Sequence, residues 1–184
     1  PCLPPCACAA GELLWVAFPV LDNTHFRIRL VCVSPDGVPT DHGMLSPTGT
    51  HAFRPVLSGC DAGLTLAWDQ YTQGLYEIVC QALAPDGRPG KSRVLRHERD
   101  DWLGPAIAPG SDAGALLAWQ AVQHVQDADR GIVDHAVGLL AARVQEADVT
   151  FLPHTTDGGP AWVADLRPGL LAGEGETYRG YDGL

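Results

Sequence analysis

Lysine is nearly missing from this chain: Lys91 stands alone against eleven arginines, and Met44 is the only methionine. Charge of both signs is scarce at 18% of residues, while 46% are apolar, a balance that excludes a disordered polyelectrolyte. No apolar run approaches the roughly 18 residues of a spanning helix, and no basic segment leads into a long apolar stretch at the N-terminus, so neither a membrane span nor a signal peptide is visible. Basic residues number 12 against 22 acidic ones, a net charge of −10. That field repels nucleic acid and anionic lipid, and neither is expected as a partner. Cysteine is missing after Cys80, which confines any covalent stapling to the first half of the chain. At 184 residues the chain suffices for one ordinary domain with a core.

What is present is an internal repeat with a period near 50, in the range of propellers and arrays. Ala62-Gly63-Leu64-Thr65-Leu66-Ala67-Trp68 returns as Ala113-Gly114-Ala115-Leu116-Leu117-Ala118-Trp119, and Leu14-Trp15-Val16-Ala17-Phe18 is an earlier, looser copy. Phe26-Arg27-Ile28 leading to Pro35-Asp36-Gly37 matches Tyr76-Glu77-Ile78 leading to Pro85-Asp86-Gly87, and Pro55-Val56-Leu57 matches Pro105-Ala106-Ile107.

Each repeat reads as four short strands. A Pro-led strand meets a turn carrying Asp61 or Asp112, a second strand closes on Trp68 or Trp119, an aromatic-led third strand ends in Pro-Asp-Gly, and a weaker fourth follows, such as Arg93-Val94-Leu95. In these turns Asp bonds its own backbone, Pro presets φ and Gly supplies the left-handed position, so Asp36, Asp61, Asp86 and Asp112 read as turn residues before calcium ligands. The tryptophans read as packing between repeats, with a sugar-stacking platform as the alternative.

The expected fold class is all-β, with β-propeller-type blades of four antiparallel strands, three to four in number, in a ring that is incomplete or closed by the N-terminal segment. The organisation is a Pro/Cys-rich segment over 1–9, repeats over 10–172 (10–52, 53–103, 104–157 and a partial 158–172) and a tail over 173–184. Tyr178 to Asp182 in that tail suits partner docking or the end of a strand.

The frame of Pro-x-apolar, Asp-x-Gly, alternating apolar residues to Ala-Trp, Tyr-Glu-Ile and Pro-Asp-Gly resembles blades of bacterial β-propellers of the TolB-like and sialidase-like kind, over about residues 10–172. The resemblance implies the fold, and with it an extracellular or periplasmic location. It does not extend to sialidase catalysis: Gly59 and Gly110 stand where that family's Asp-box has serine, and the sequence does not assign its arginine triad.

The blade pattern puts the loops around Leu21–His25, Thr48–His51, Asp69–Leu75, His97–Asp101, Gln120–His135 and His154–Asp157 on one face. Gln120–His135 is the longest and holds His124, Asp127, Asp129, Asp134 and His135, donors suited to a divalent cation, a solvated acidic loop or a partner contact. His97, Asp100 and Asp101 beside Trp102 allow an imidazole–carboxylate acid/base pair. No nucleophile is signposted and no Gly-x-Ser-x-Gly elbow exists.

Cys2, Cys6 and Cys8 form a C-x₃-C-x-C cluster without a fourth ligand at zinc spacing. A disulfide from this cluster to Cys32, Cys60 or Cys80 is one expectation; buried thiols at Cys32 and Cys80 are the simpler one. No cofactor is expected beyond a divalent cation. These residues favour a non-catalytic module that binds a protein or polysaccharide partner or assembles with itself. A hydrolase domain with its site on the long-loop face and a structural subunit of a filament or shell are the alternatives.

Overall fold

The computed structural model describes residues 3–60, 62–110, 114–127, 131–145 and 148–152, the backbone path alone for 125–127 and 131–138. Twelve strands form three antiparallel four-stranded meanders, and no helix occurs among the described residues. The first sheet runs β1 (Cys6–Ala10), β2 (Leu13–Asp22), β3 (His25–Val33), β4 (Pro39–Met44). The second runs β5 (His51–Cys60), β6 (Gly63–Thr72), β7 (Leu75–Leu83), β8 (Pro89–Leu95), and the third β9 (Asp100–Pro109), β10 (Ala115–Asp127), β11 (Gly131–Gln145), β12 (Asp148–Phe151).

The turns follow the residues that demand them. In both Pro-Asp-Gly turns the glycine N–H donates back three residues, Gly37 to Ser34 at 2.9 Å and Gly87 to Ala84 at 2.8 Å, with φ of 78° and 80°. This is a type I turn followed by a left-handed glycine, a hairpin geometry that fits the twist of the strands. At the other end of the sheets, Gln73 and Gly74 both take positive φ, 54° and 95°, in a two-residue hairpin turn between β6 and β7. Asp61 and Asp112 lie outside the described residues.

Two expectations about strand limits are corrected. Pro55 and Pro105 do not open their strands: β5 begins at His51 and β9 at Asp100. The prolines sit at register shifts where β5 pairs with β6 and β9 with β10, just after Arg54 (φ 44°) and Gly104 (φ 64°). A residue without an N–H is tolerated at a bulge because no ladder bond is required of it there. Likewise Trp68 and Trp119 lie inside β6 and β10, not at their ends.

A third correction concerns Gln120–His135, which is a β-hairpin and not a loop. β10 and β11 continue to pair from Gln120↔Leu139 through Gln123↔His135 and His124↔Asp134 to Asp127↔Gly131, with one irregularity after Ala121.

The core consists of two layers, each between neighbouring sheets. Leu64, Leu66 and Trp68 of the second sheet pack on Trp15, Ala17, Ile28, Leu30 and Cys32 of the first. Leu117, Trp119 and Leu140 of the third pack on Ala67, Ile78 and Cys80 of the second. The period-two alternation of a strand assigns these residues to opposite faces. By the same repeat, the counterparts of Leu64, Leu66 and Trp68 in the first sheet are Leu14, Val16 and Phe18. They belong to none of the three buried clusters, and Leu14 is 46% exposed.

The N-terminal segment is held by strand pairing. Cys6 faces Ala17 and Cys8 faces Trp15 across β1 and β2, making residues 6–10 the first strand of the first sheet. Among the described residues Cys6, Cys8, Cys32 and Cys80 are thiols, so neither Cys6 nor Cys8 is bridged to Cys32 or Cys80; Cys2 lies outside the described residues. Burial pushes the thiols of Cys6 and Cys80 up to about 12, which keeps them protonated and unreactive at neutral pH. Gly59 allows β1 to lie close to β5, because a Cβ there would come within 2.8 Å of Ala10 Cβ.

Candidate functional site

The end of the sheets carrying the Asn23 and Gln73 turns collects aromatic, imidazole and carboxylate side chains from several strands. One hydrogen-bond pattern repeats there and ties each sheet to the next. The Phe26 N–H donates to His51 Nδ1 (3.4 Å), and 50 residues on, the Tyr76 N–H donates to Asp101 Oδ1 (2.7 Å). In each case the first residues of the following sheet satisfy a backbone donor at the start of a third strand, a group that is costly to bury unpaired. A His51 Nδ1 that accepts carries its proton on Nε2 when neutral.

A row of rings crosses this end. His25 lies 4.8 Å from His51, His51 stacks on Phe53 at 5.9 Å and 5°, Phe53 lies 6.2 Å from Tyr76, and Tyr76 lies 5.1 Å from Tyr71, which is 41% exposed. Arg54 places its guanidinium 5.9 Å from the centre of the Tyr76 ring. Its Nε donates to Asp69 Oδ2 at 2.5 Å and its Nη2 contacts the same oxygen, which also accepts the Gly104 N–H at 2.8 Å. Asp69 is fully buried and its Oδ1 has no partner. Burial therefore raises its carboxyl above the ordinary range despite the lowering by the Gly104 N–H and Arg54.

Next to this row stand two imidazole–carboxylate pairs on consecutive aspartates. His124 Nε2 lies 2.6 Å from Asp101 Oδ2, and His97 Nδ1 lies 3.0 Å from Asp100 Oδ2. The second contact has ion-pair distance but not hydrogen-bond direction, and Asp100 is held instead by Gln123 Nε2 donating to Oδ1 at 3.2 Å. Both aspartates are buried and both histidines half exposed at 42%. His97 also stacks at 11° on Trp102. In the His124–Asp101 pair a fixed carboxylate orients an accessible imidazole, an arrangement able to hold a polar partner group or move a proton, whereas the His97 ring is placed by its stacking on Trp102 and by the Arg99 N–H donating to Nδ1.

Of the residues expected at the site, the fold brings together His97, Asp100, Asp101 and His124. Asp127, Asp134 and His135 lie on the extended β10–β11 hairpin, where only the backbone path is described, and Asp129 lies outside the described residues, as do His154 and Asp157. No three His, Cys, Asp or Glu side chains converge as a metal site among the described residues. A cavity of about 100 Å³ at the opposite end, lined by Ser58, Cys60, Thr65 and Gln145 among others, has no histidine or carboxylate among the described residues of its wall. Trp68 and Trp119 are buried between sheets, in keeping with packing and not with sugar stacking.

Sequence reasoning missed Arg54, Phe53 and Tyr76, and placed His51, Asp69 and Tyr71 in loops of this face without giving any of them a role. A usable signal was the half-period: the contacts Phe26–His51 and Tyr76–Asp101 each span 25 residues. No known protein family and no curated protein matches this chain.

Proposed function

We propose that this chain is a non-catalytic binding and assembly module of the β-propeller type, with its sheets as blades, that takes a protein or polysaccharide partner on the end just described. A resemblance to secreted and periplasmic propeller repeats fits this reading. The observation that carries it is the gathering, from three sheets onto one end, of the ring row from His25 to Tyr71 and the pairs His97–Asp100 and His124–Asp101. Aromatic and polar groups held by a rigid scaffold are what recognition surfaces use. The described contacts of His97 are Asp100, Trp102 and the Arg99 backbone, which gives that imidazole no hydroxyl or thiol to activate. The test is a binding screen against immobilised polysaccharides and peptides. His124→Ala is expected to weaken any binder found, and Asp36→Ala, at the opposite turns, to leave it unchanged; the reverse pattern contradicts the reading.

A second reading, self-assembly, is favoured by the Leu14–Val16–Phe18 face. The equivalent face is 0–4% exposed in the second sheet, whereas Leu14 is 46% exposed. An apolar sheet face of this kind suits a further sheet. It expects a species heavier than 19.5 kDa in native mass spectrometry, dissociated by Val16→Glu. A monomer in both cases contradicts it.

A further inference from the structure

Arg54 occupies a backbone position for which an arginine is a poor choice. The bulges before Pro55 and Pro105 are equivalent, and the third sheet fills the position with Gly104 at φ 64°, whereas the second holds Arg54 at φ 44°. A side chain in the left-handed region is strained, and strain kept in a fold points toward use when the side chain is also placed for it. The Gly104 N–H already supplies one donor to Asp69. Arg54 adds Nε and Nη2 on the same carboxylate oxygen, no described contact engages Nη1, and the side chain stays 43% exposed. The result is a planar, fixed donor fork beside the Tyr76 ring, with exposed Tyr71 next to it.

We propose that Arg54, Tyr71 and Tyr76 form a subsite for a neutral polysaccharide, a deepening that rests on this end of the sheets being the partner-binding end. A sugar ring has an apolar C–H face that stacks on aromatic rings and a rim of hydroxyls that accept from a guanidinium. Arg54 and Asp69 cancel in charge, and the net −10 of the chain repels polyanions, which selects an uncharged chain. Hydroxyls both donate and accept, matching the donor Arg54 and the amphoteric imidazoles of His51 and His25 farther along the row. A proline-rich peptide, the other ligand of aromatic grooves, has no N–H at its prolines and uses only half of that set.

The test is affinity electrophoresis of the full chain in gels containing soluble β-glucan, xylan or galactomannan, with polygalacturonate and a polyproline peptide as comparison probes. Wild type is retarded by at least one neutral polysaccharide. Arg54→Gly, which relieves the backbone, weakens that binding by about tenfold, the effect of losing a charged hydrogen bond. Tyr71→Ala, an exposed change that leaves the Asp69 pair intact, weakens it by roughly fivefold through lost stacking. Near-UV circular dichroism confirms that both variants are folded, and Tyr71→Ala decides the matter if Arg54→Gly is not. No retardation by any neutral polysaccharide, binding of polygalacturonate or polyproline in their place, or wild-type retardation of Tyr71→Ala overturns the proposal. If His124→Ala still reduces binding of a peptide or polyanion probe, only the polysaccharide assignment is lost and the partner-binding end stands.

Discussion

Trp68→Ala lowers the stability of the fold by about 4 kcal/mol, read from the urea midpoint by circular dichroism. The indole is 1% exposed in the layer between the first and second sheets, among Trp15, Leu64 and Leu66. Its removal leaves a cavity that neighbouring strands cannot close without giving up ladder bonds. The loss is also polar: Trp68 Nε1 donates to Gln70 Oε1 at 3.2 Å, and Gln70 Nε2 donates to Glu77 Oε1 at 2.7 Å, all within buried residues. Phe18 is the control, because it holds the equivalent place on the uncovered face of the first sheet. Phe18→Ala costs about 1 kcal/mol in the monomer, as expected of a half-buried side chain outside a packed layer. Equal losses for the two variants contradict the placing of Trp68 inside a packed layer and Phe18 outside one.

Gly87→Ala lowers stability by about 3 kcal/mol, and Gly37→Ala by only about 1 kcal/mol. The two glycines end equivalent Pro-Asp-Gly turns with almost the same φ, 80° and 78°, so the backbone strain of an added methyl is shared. Their surroundings differ. A Cβ at Gly37 meets nothing within 4 Å, whereas one at Gly87 meets the His42 ring at 2.6 Å and the Trp15 ring at 2.8 Å. The turn of the second sheet therefore presses on the first, and the excess of Gly87 over Gly37 measures that contact. Paired chemical denaturation of the two variants gives the difference directly; indistinguishable midpoints contradict the close approach.

Much of the architecture was legible because turn chemistry is local. Pro-Asp-Gly at positions 35–37 and 85–87 marks hairpins whatever the rest of the chain does, and the period between them fixes the repeat. Strand limits were not legible at Pro55 and Pro105, where a bulge accommodates the missing N–H that would otherwise end a strand. The β10–β11 hairpin was hidden for a different reason. Gln120, Gln123, His124 and Gln126 give its first half the composition of a loop, while its pairing is set by backbone bonds to a largely apolar partner strand carrying Ile132, Val133, Val137 and Leu139.

Half of the site was visible and half was not, on similar grounds. His97 and Asp100 are three residues apart, and His124 lay among candidate ligands already, so the fold only had to supply the pairing with Asp101. Arg54 and Asp69 are brought together by the β5–β6 pairing around the bulge, and Phe53 meets Tyr76 across strands. An arginine followed by a proline carries no sign in one dimension that its φ is positive.

Backbone amide shift mapping with the first ligand that the binding screen yields tests the proposed partner binding at the end bearing the Asn23 and Gln73 turns. Shifts are expected to concentrate at His51, Tyr71, Tyr76, Asp101 and His124, with the turns at 35–37 and 85–87 unmoved. Shifts confined to those Pro-Asp-Gly turns, with the ring row silent, contradict it.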